Sequence, residues 1–143
     1  MESFLTETQI KVLKLRYKGY TQEEIAKMLG TSRANVSMIE KRAKENIRKA
    51  YNTIKIYRMI LAPVEIDIKE GTDVINIPNI VFSEADKKNI KVKYNTLQII
   101  ELINKKLKDY IENRKVKKGF KIYVLNNGEL EVLGDKLWME NIL

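Results

Sequence analysis

The sequence predicts an α+β protein, with an all-α helix-turn-helix domain over residues 1–62 and a small α+β domain over residues 63–143. Three observations predict it. The stretch Thr21 to Ile39 reads as helix, glycine turn, helix. At Pro63 the apolar period changes from helical spacing to strict alternation. The charge is also unevenly divided. Net charge is +8 and pI about 9.5. Residues 1–62 hold 13 Lys/Arg against 6 Asp/Glu, a net of +7, while residues 63–143 hold 14 against 13. The first segment therefore suits a polyanion such as nucleic acid.

The N-terminal elements follow from their caps. Thr6-Glu7-Thr8-Gln9 is a capping box that starts a helix running to about Lys18 and stopping at Gly19. Leu5, Val12, Leu13 and Tyr17 would form its buried side. Thr21 can cap the next helix, about Gln22 to Leu29, with Glu24 completing a second box. Ile25, Ala26 and Leu29 share its inner face. Gly30 suits the left-handed conformation that ends a helix. Ser32 can cap a third helix that begins at Arg33. Val36, Ile39 and Ala43 give that helix a narrow apolar stripe, and no breaker appears before Ala62-Pro63. It runs unbroken or kinks near Asn46. Further along it, Ala43, Ile47, Ala50, Ile54, Tyr57 and Leu61 recur at alternating spacings of three and four. This stripe is either a dimer seam or the surface on which the second half packs.

After Pro63, Val64 to Lys69 alternates as a half-buried strand. Glu70-Gly71-Thr72-Asp73 is a turn. Val74 to Ile77 reads as a short strand or docked loop, and a short helix capped by Ser83 would end near Asn89. Ile90 to Tyr94 alternates again. Asn95-Thr96-Leu97-Gln98 is a third capping box. It opens a helix with Leu97, Ile100, Ile103, Leu107 and Ile111 on one face, running into the basic segment Arg114 to Lys118. Phe120 to Leu125 and Glu129 to Leu133 are strands joined by the hairpin signal Asn127-Gly128. The tail Trp138 to Leu143 is apolar enough to dock. The strand order is not readable from this pattern.

Composition excludes several chemistries. With no Cys and no His, thiol nucleophiles, imidazole or thiolate metal sites, His acid–base catalysis and disulfides are all ruled out. A reducing cytoplasm is the expected setting. The start Met1-Glu2-Ser3-Phe4-Leu5 has no signal-peptide character, and no apolar run spans a bilayer. No membrane partner, cofactor or metal is called for. Glu65 and Asp67 share a strand face with Lys69, in a faint likeness to a nuclease Mg²⁺ motif. The same letters form the wet face of any amphipathic strand. The run Lys105, Lys106, Lys108, Arg114, Lys115, Lys117, Lys118 is either a second DNA contact or a complement to a helix C-terminus.

Leu5-Thr6 through Ala43 resembles the DNA-binding end of bacterial sigma factors and of LuxR-type regulators. The likeness rests on Glu24-Ile25-Ala26, Leu29-Gly30 and Ser32 followed by Val36-Ser37. A closer resemblance is to the archaeal Tfx family. Thr6-Glu7-Thr8-Gln9, Arg33-Ala34-Asn35-Val36-Ser37 and Ile39-Glu40-Lys41-Arg42-Ala43 look like its N-terminal signature. Glu70-Gly71-Thr72-Asp73 and Tyr94-Asn95-Thr96-Leu97 look like its second half. The resemblance implies a transcriptional regulator and identifies neither operator nor effector.

The residues of the third helix also define an outward face of their own. With Val36 inward and about 100° per residue, Ala34, Ser37, Met38 and Lys41 point away from the core, and Arg33 stands at the helix start. Residues so placed read base edges in helix-turn-helix proteins. Arg33 suits guanine, Ser37 is an adaptable hydrogen-bonder, and Ala34 and Met38 suit a thymine methyl. Thr21, Gln22, Thr31, Asn35 and Arg42 lie toward the flanks and suit phosphates. The bland alternative is that Arg33 and Lys41 are solvated helix charges. The expected protein is a double-stranded-DNA-binding regulator acting as a homodimer. Its second domain would take an effector, contact transcription machinery or support assembly. The rival reading is a DNA-processing enzyme targeted by the same motif.

Overall fold

The computed structural model describes residues 1–134. The expected docking of the tail Trp138 to Leu143 lies outside them. The chain forms two compact units, one over Met1–Ile56 and one from Tyr57 onward. The change of unit falls inside a helix, because Met59 is buried with Tyr123 and Leu125 of the second unit.

The first unit contains α1 (Glu7–Tyr17), α2 (Gln22–Leu29) and most of α3 (Arg33–Leu61). Thr6 and Gln9 form the expected reciprocal box. Gln9 N–H donates to Thr6 Oγ1 at 3.1 Å, and Thr6 N–H to Gln9 Oε1 at 3.0 Å. Thr21 caps α2, but the box there is not completed. Glu24 accepts instead from the Thr21 hydroxyl at 3.1 Å, which leaves the Thr21 amide without that partner. The core is small: Val12, Ile25, Ala26 and Val36 are buried, with Leu15, Tyr20, Leu29 and Ile39 packed against them. Tyr17 does not join it. Five residues beyond Val12 it has turned about 140° away, and it is 94% exposed. Leu15 takes the inward position instead.

Helix α3 runs unbroken over 29 residues, through Asn46. The Asn46 side chain reaches the Phe4 carbonyl instead, at 3.1 Å. Ala43 is fully buried. The rest of its stripe is not: Ile47 is 45% exposed and Ile54 55%, and Tyr57 and Leu61 are open as well.

The second unit is a three-stranded antiparallel sheet in the order β1 (Val64–Ile68), β4 (Phe120–Val124), β5 (Leu130–Leu133). Ile66 pairs with Ile122, and Ile122 with Val132. Alternation puts Val64, Ile66 and Ile68 on the buried face. The core there also takes Ile77 and Val81 from α4 (Ile77–Asp86) and Ile99 and Ile103 from α5 (Thr96–Lys106).

Several expected elements differ. Val74–Asn76 is a 3-10 turn rather than a strand, and α4 follows at once. Pro78 fits because the first helical turn needs no N–H from it. Ser83 therefore lies inside α4 and caps nothing. Ile90, Val92 and Tyr94 do alternate into the core, but no ladder forms; Lys93 N–H alone bonds to the Gly128 carbonyl at 2.9 Å. The Asn95–Gln98 box is present, yet α5 buries Ile99 and Ile103 and leaves Leu97 64% exposed. The helix ends at Lys106, so Leu107 and Ile111 lie beyond it.

The basic segment is not helical. A 3-10 turn (Lys108–Tyr110) leads into a tight hairpin, β2 (Ile111–Glu112) and β3 (Lys115–Val116). Asn113 and Arg114 hold φ of 51° and 66° between them. That is the pattern of a type I′ turn, with arginine where glycine is usual.

Gly128 carries the β4–β5 turn at φ +85°. A Cβ there would stand 2.1 Å from the Lys91 carbonyl oxygen. Gly128→Ala should destabilise the second unit by at least about 2 kcal/mol. Urea unfolding followed by circular dichroism measures this, and an unchanged midpoint would contradict the packing described.

Candidate nucleic-acid interface

The turn between α2 and α3 is set by its own residues. Gly30 adopts φ 67° and ψ 37°, the left-handed cap that glycine takes at least cost. The Thr31 amide then returns to the Ala26 carbonyl at 2.9 Å. Ser32 Oγ accepts from the Asn35 amide at 3.1 Å, starting α3. The Asn35 carboxamide donates to Thr31 Oγ1 at 2.9 Å, locking the turn to the first turn of α3.

Val36 is fully buried, which fixes the rotation of α3. Arg33, Ala34, Ser37, Met38 and Lys41 are all exposed, Met38 by 50%. Asn35 and Arg42 lie on the other flank, about 240–260° round the helix from Val36. The Thr21 hydroxyl is already engaged with Glu24.

Glu40 was not among the residues expected at this face. It is 5% exposed, the one buried charged side chain among the described residues. Donors from three helices meet it. Arg16 Nε on α1 donates to Oε1 at 2.8 Å, and Gln22 Nε2 on α2 donates to the same oxygen at 3.1 Å. Lys44 Nζ on α3 lies 3.1 Å from Oε2. Arg16 also donates to the Tyr20 carbonyl at 3.1 Å, tying down the α1–α2 turn. Burial pushes the Glu40 carboxyl up. The hydrogen bonds from Gln22 and Lys44 and the charges of Arg16 and Lys44 together outweigh it and hold the pKa below the ordinary carboxylate value. The sequence signal was a carboxylate four residues after the buried Val36, on the inward stripe.

Beside this cluster lies a groove of about 360 Å³, lined by Gln22, Ser37, Glu40, Lys41, Lys44, Glu45 and Arg48. It brings Gln22, Ser37 and Lys41 together and adds Lys44 and Arg48, which the sequence reading had not singled out. Arg33, Met38 and Arg42 do not line it.

The other sequence candidates separate from this face. Glu65 and Asp67 stand on the exposed side of β1, where Lys121 of β4 donates to Glu65 and sits 3.9 Å from Asp67. An ammonium thus lies beside both carboxylates. Among the described residues there is no group of three potential metal ligands and no helix long and apolar enough to cross a membrane. In the basic run only Lys105 and Lys106 sit at a helix C-terminus. Lys118 stacks over the Tyr110 ring at 5.1 Å.

The lowered carboxyl of Glu40 sets a pH dependence. Its stabilisation is fully present above the unfolded value of about 4.3 and is lost as pH falls through the lower folded value. Urea unfolding from neutral pH down to about pH 3 should show a loss in the wild type that Glu40→Gln lacks. At neutral pH, Glu40→Ala should cost roughly 1–3 kcal/mol, since Arg16 and Lys44 remain partly solvated. Parallel acid profiles for wild type and Glu40→Gln would refute the assignment.

Two known families match successive parts of the chain. Residues 3–49 match the family described as sigma-70, region 4, and residues 50–132 match the family described as DNA-binding protein, TFX, C-terminal. A Methanocaldococcus jannaschii protein, provisionally named a transcriptional regulatory protein, is 71% identical over 133 residues, covering 93% of this chain and 97% of its own. A similarly named protein of Methanococcus vannielii is 60% identical, covering 92% and 93%. The DNA-binding protein Tfx of Methanothermobacter marburgensis is 37% identical over 131 residues, 92% of this chain and 95% of its own. The chain belongs to the archaeal Tfx family of DNA-binding proteins.

Proposed function

We propose that this protein is a sequence-specific transcriptional regulator that reads the DNA major groove with the start of α3. The observation that carries this is the exposed set Arg33, Ala34, Ser37, Met38 and Lys41 on a helix whose rotation is held by Val36 and Glu40. These five contact base edges. Gln22, Thr31, Asn35 and Arg42 contact phosphates on the flanks. Thr21 contributes through the amides of the α2 start, because its hydroxyl is already engaged. Lys44 and Arg48 extend the basic face. The protein acts in the cytoplasm and is not an enzyme. Its C-terminal unit serves regulation or assembly, through an effector or through transcription machinery.

Selection of bound sequences from a random DNA pool tests the reading, and a consensus should emerge. Affinity should fall steeply with salt as phosphate counterions are displaced. Arg33→Ala should cost roughly 1–3 kcal/mol on the selected site and relax one base pair. Arg42→Ala should weaken selected and random DNA alike. Equal losses on both DNAs for both variants would remove Arg33 from base reading.

The protein works as a homodimer, since one short reader helix contacts too few base pairs for selectivity. The seam is the stripe Ile47, Ala50, Ile54, Tyr57 and Leu61. The support for it is the exposure of Ile47 and Ile54, which leaves apolar surface open on one helix. Each would contribute up to roughly 1.5–3 kcal/mol if fully buried. Ile47→Lys combined with Ile54→Lys should give a helical monomer by sedimentation, with weakened specific binding. A wild-type monomer that still binds its site tightly would end the dimer reading.

A further inference from the structure

The cations of the second half of the chain are gathered in one stretch. Residues 105–118 hold 7 of the 14 Lys/Arg of residues 63–143 and only 2 of the 13 Asp/Glu, a net of +5. The remainder of that half carries 7 Lys/Arg against 11 Asp/Glu, a net of −4. Charge separated in this way attracts a polyanion to the basic side and repels it from the rest.

The fold draws the stretch together. Helix α5 ends at Lys106, and the chain passes through the 3-10 turn into β2 and returns along β3. Lys117 N–H donates to the Tyr110 carbonyl at 2.9 Å, so the two arms are still paired at the base of the hairpin. Lys105, Lys106 and Lys108 thus enter that base where Lys117 and Lys118 leave it. Val116 is 1% exposed, and neighbours along an extended strand face opposite ways, so Lys115 and Lys117 point outward. β3 is held on its other edge as well. Val116 N–H donates to the Thr72 carbonyl at 2.9 Å and Gly71 N–H to the Val116 carbonyl at 2.7 Å. The cations therefore stand on backbone that is bonded on both sides.

Most of them are also uncommitted. Lys105, Lys106, Lys108, Lys115 and Lys117 are exposed and make no ion pair with a described residue. Elsewhere in the unit Lys87 pairs with Glu84, Lys93 with Glu129 and Lys121 with Glu65. Within the stretch Arg114 is paired with Asp73, and Lys118 lies over the Tyr110 ring. A helix C-terminus accounts for Lys105 and Lys106. It does not account for Lys108 or Lys117, which lie beyond the helix.

We propose that the base of this hairpin binds the phosphate backbone of duplex DNA, as a second and sequence-independent contact on the chain. Lys106, Lys108 and Lys117 carry it. Lys115 contributes less, because Glu112 stands directly across the ladder from it. A lysine ammonium is a compact point charge without a planar fork, which suits phosphate oxygens and positions without specifying. The proposal rests on the DNA-binding reading only in taking duplex DNA as the polyanion, and not on base contacts by α3.

Fluorescence anisotropy of the full chain with a labelled random-sequence duplex, repeated over a salt series, tests it. The combined variant Lys106→Gln, Lys108→Gln, Lys117→Gln should bind random and selected duplexes more weakly alike. Its slope of log affinity against log salt should be shallower by at least about 0.9, the share of one phosphate contact. All three side chains are exposed, so Tm should be unchanged. The control variant Lys69→Gln, Lys88→Gln, Lys91→Gln removes equal charge from elsewhere in the unit and should keep the wild-type slope. If the hairpin variant keeps that slope while Arg42→Ala flattens it, the hairpin contact is overturned and the reader helix stands. If the control flattens the slope as much as the hairpin variant, net charge is the cause and the proposal is again overturned. A hairpin variant that loses single-stranded RNA but keeps duplex DNA would overturn it in favour of RNA. A wild type that binds no duplex at all would end both readings.

Discussion

One buried carboxylate organises the N-terminal unit. Glu40 takes donors from α1, α2 and α3 at once. A charge removed from water is costly unless it is matched. Any packing that slid one helix along another would strip Glu40 of a donor, and so would be penalised. The apolar core could not impose this alone. Only four of its residues are fully packed away, and an apolar contact is tolerant of small rotations in a way that a hydrogen bond is not. The arrangement of Arg16, Gln22 and Lys44 around one carboxylate therefore specifies the angle at which α3 is presented.

That angle is what a reader helix needs. Val36 and Ala43 face inward, Glu40 lies at the edge of the core, and Arg33, Ser37 and Lys41 face out from the same turns. The groups proposed to recognise DNA and the groups that hold the helix are interleaved at helical spacing. Gln22 shows the coupling most directly, since its carboxamide is bonded to Glu40 while its side chain lines the same groove as Ser37 and Lys41.

The C-terminal unit is held by different means. A regular antiparallel ladder carries a thick aliphatic core, and its exposed strand face pairs Lys121 with Glu65 and Asp67. Burial opposes the charge on Lys121, but its hydrogen bond to Glu65 is the larger influence and raises its pKa. The carboxylates that resembled a metal motif are thus accounted for by a cross-strand ion pair. Two adjacent non-glycine residues with positive φ, Asn113 and Arg114, turn the β2–β3 hairpin.

Much of the protein was legible because its signals are local. Capping residues, the turn glycine and helical spacing define α1, α2 and the start of α3, since each depends on contacts within four residues. The alternation of Val64 to Ile68 and the Asn127-Gly128 turn are local in the same sense. So was the outward set Arg33, Ala34, Ser37, Met38 and Lys41, once Val36 was placed inward. What misled was periodicity in short segments. Ile90 to Tyr94 alternates without a strand beside it to complete a ladder. Leu107 and Ile111 continue the α5 spacing, but the chain leaves the helix to form a hairpin bonded to residues 71–74. Sequence by itself determined the helix-turn-helix, the α+β class and the candidate reader residues. Only the tertiary structure decided the strand order, the hub at Glu40 and the pairing of Asp73 with Arg114. Those depend on residues far apart in the chain, whose pairing no local pattern encodes.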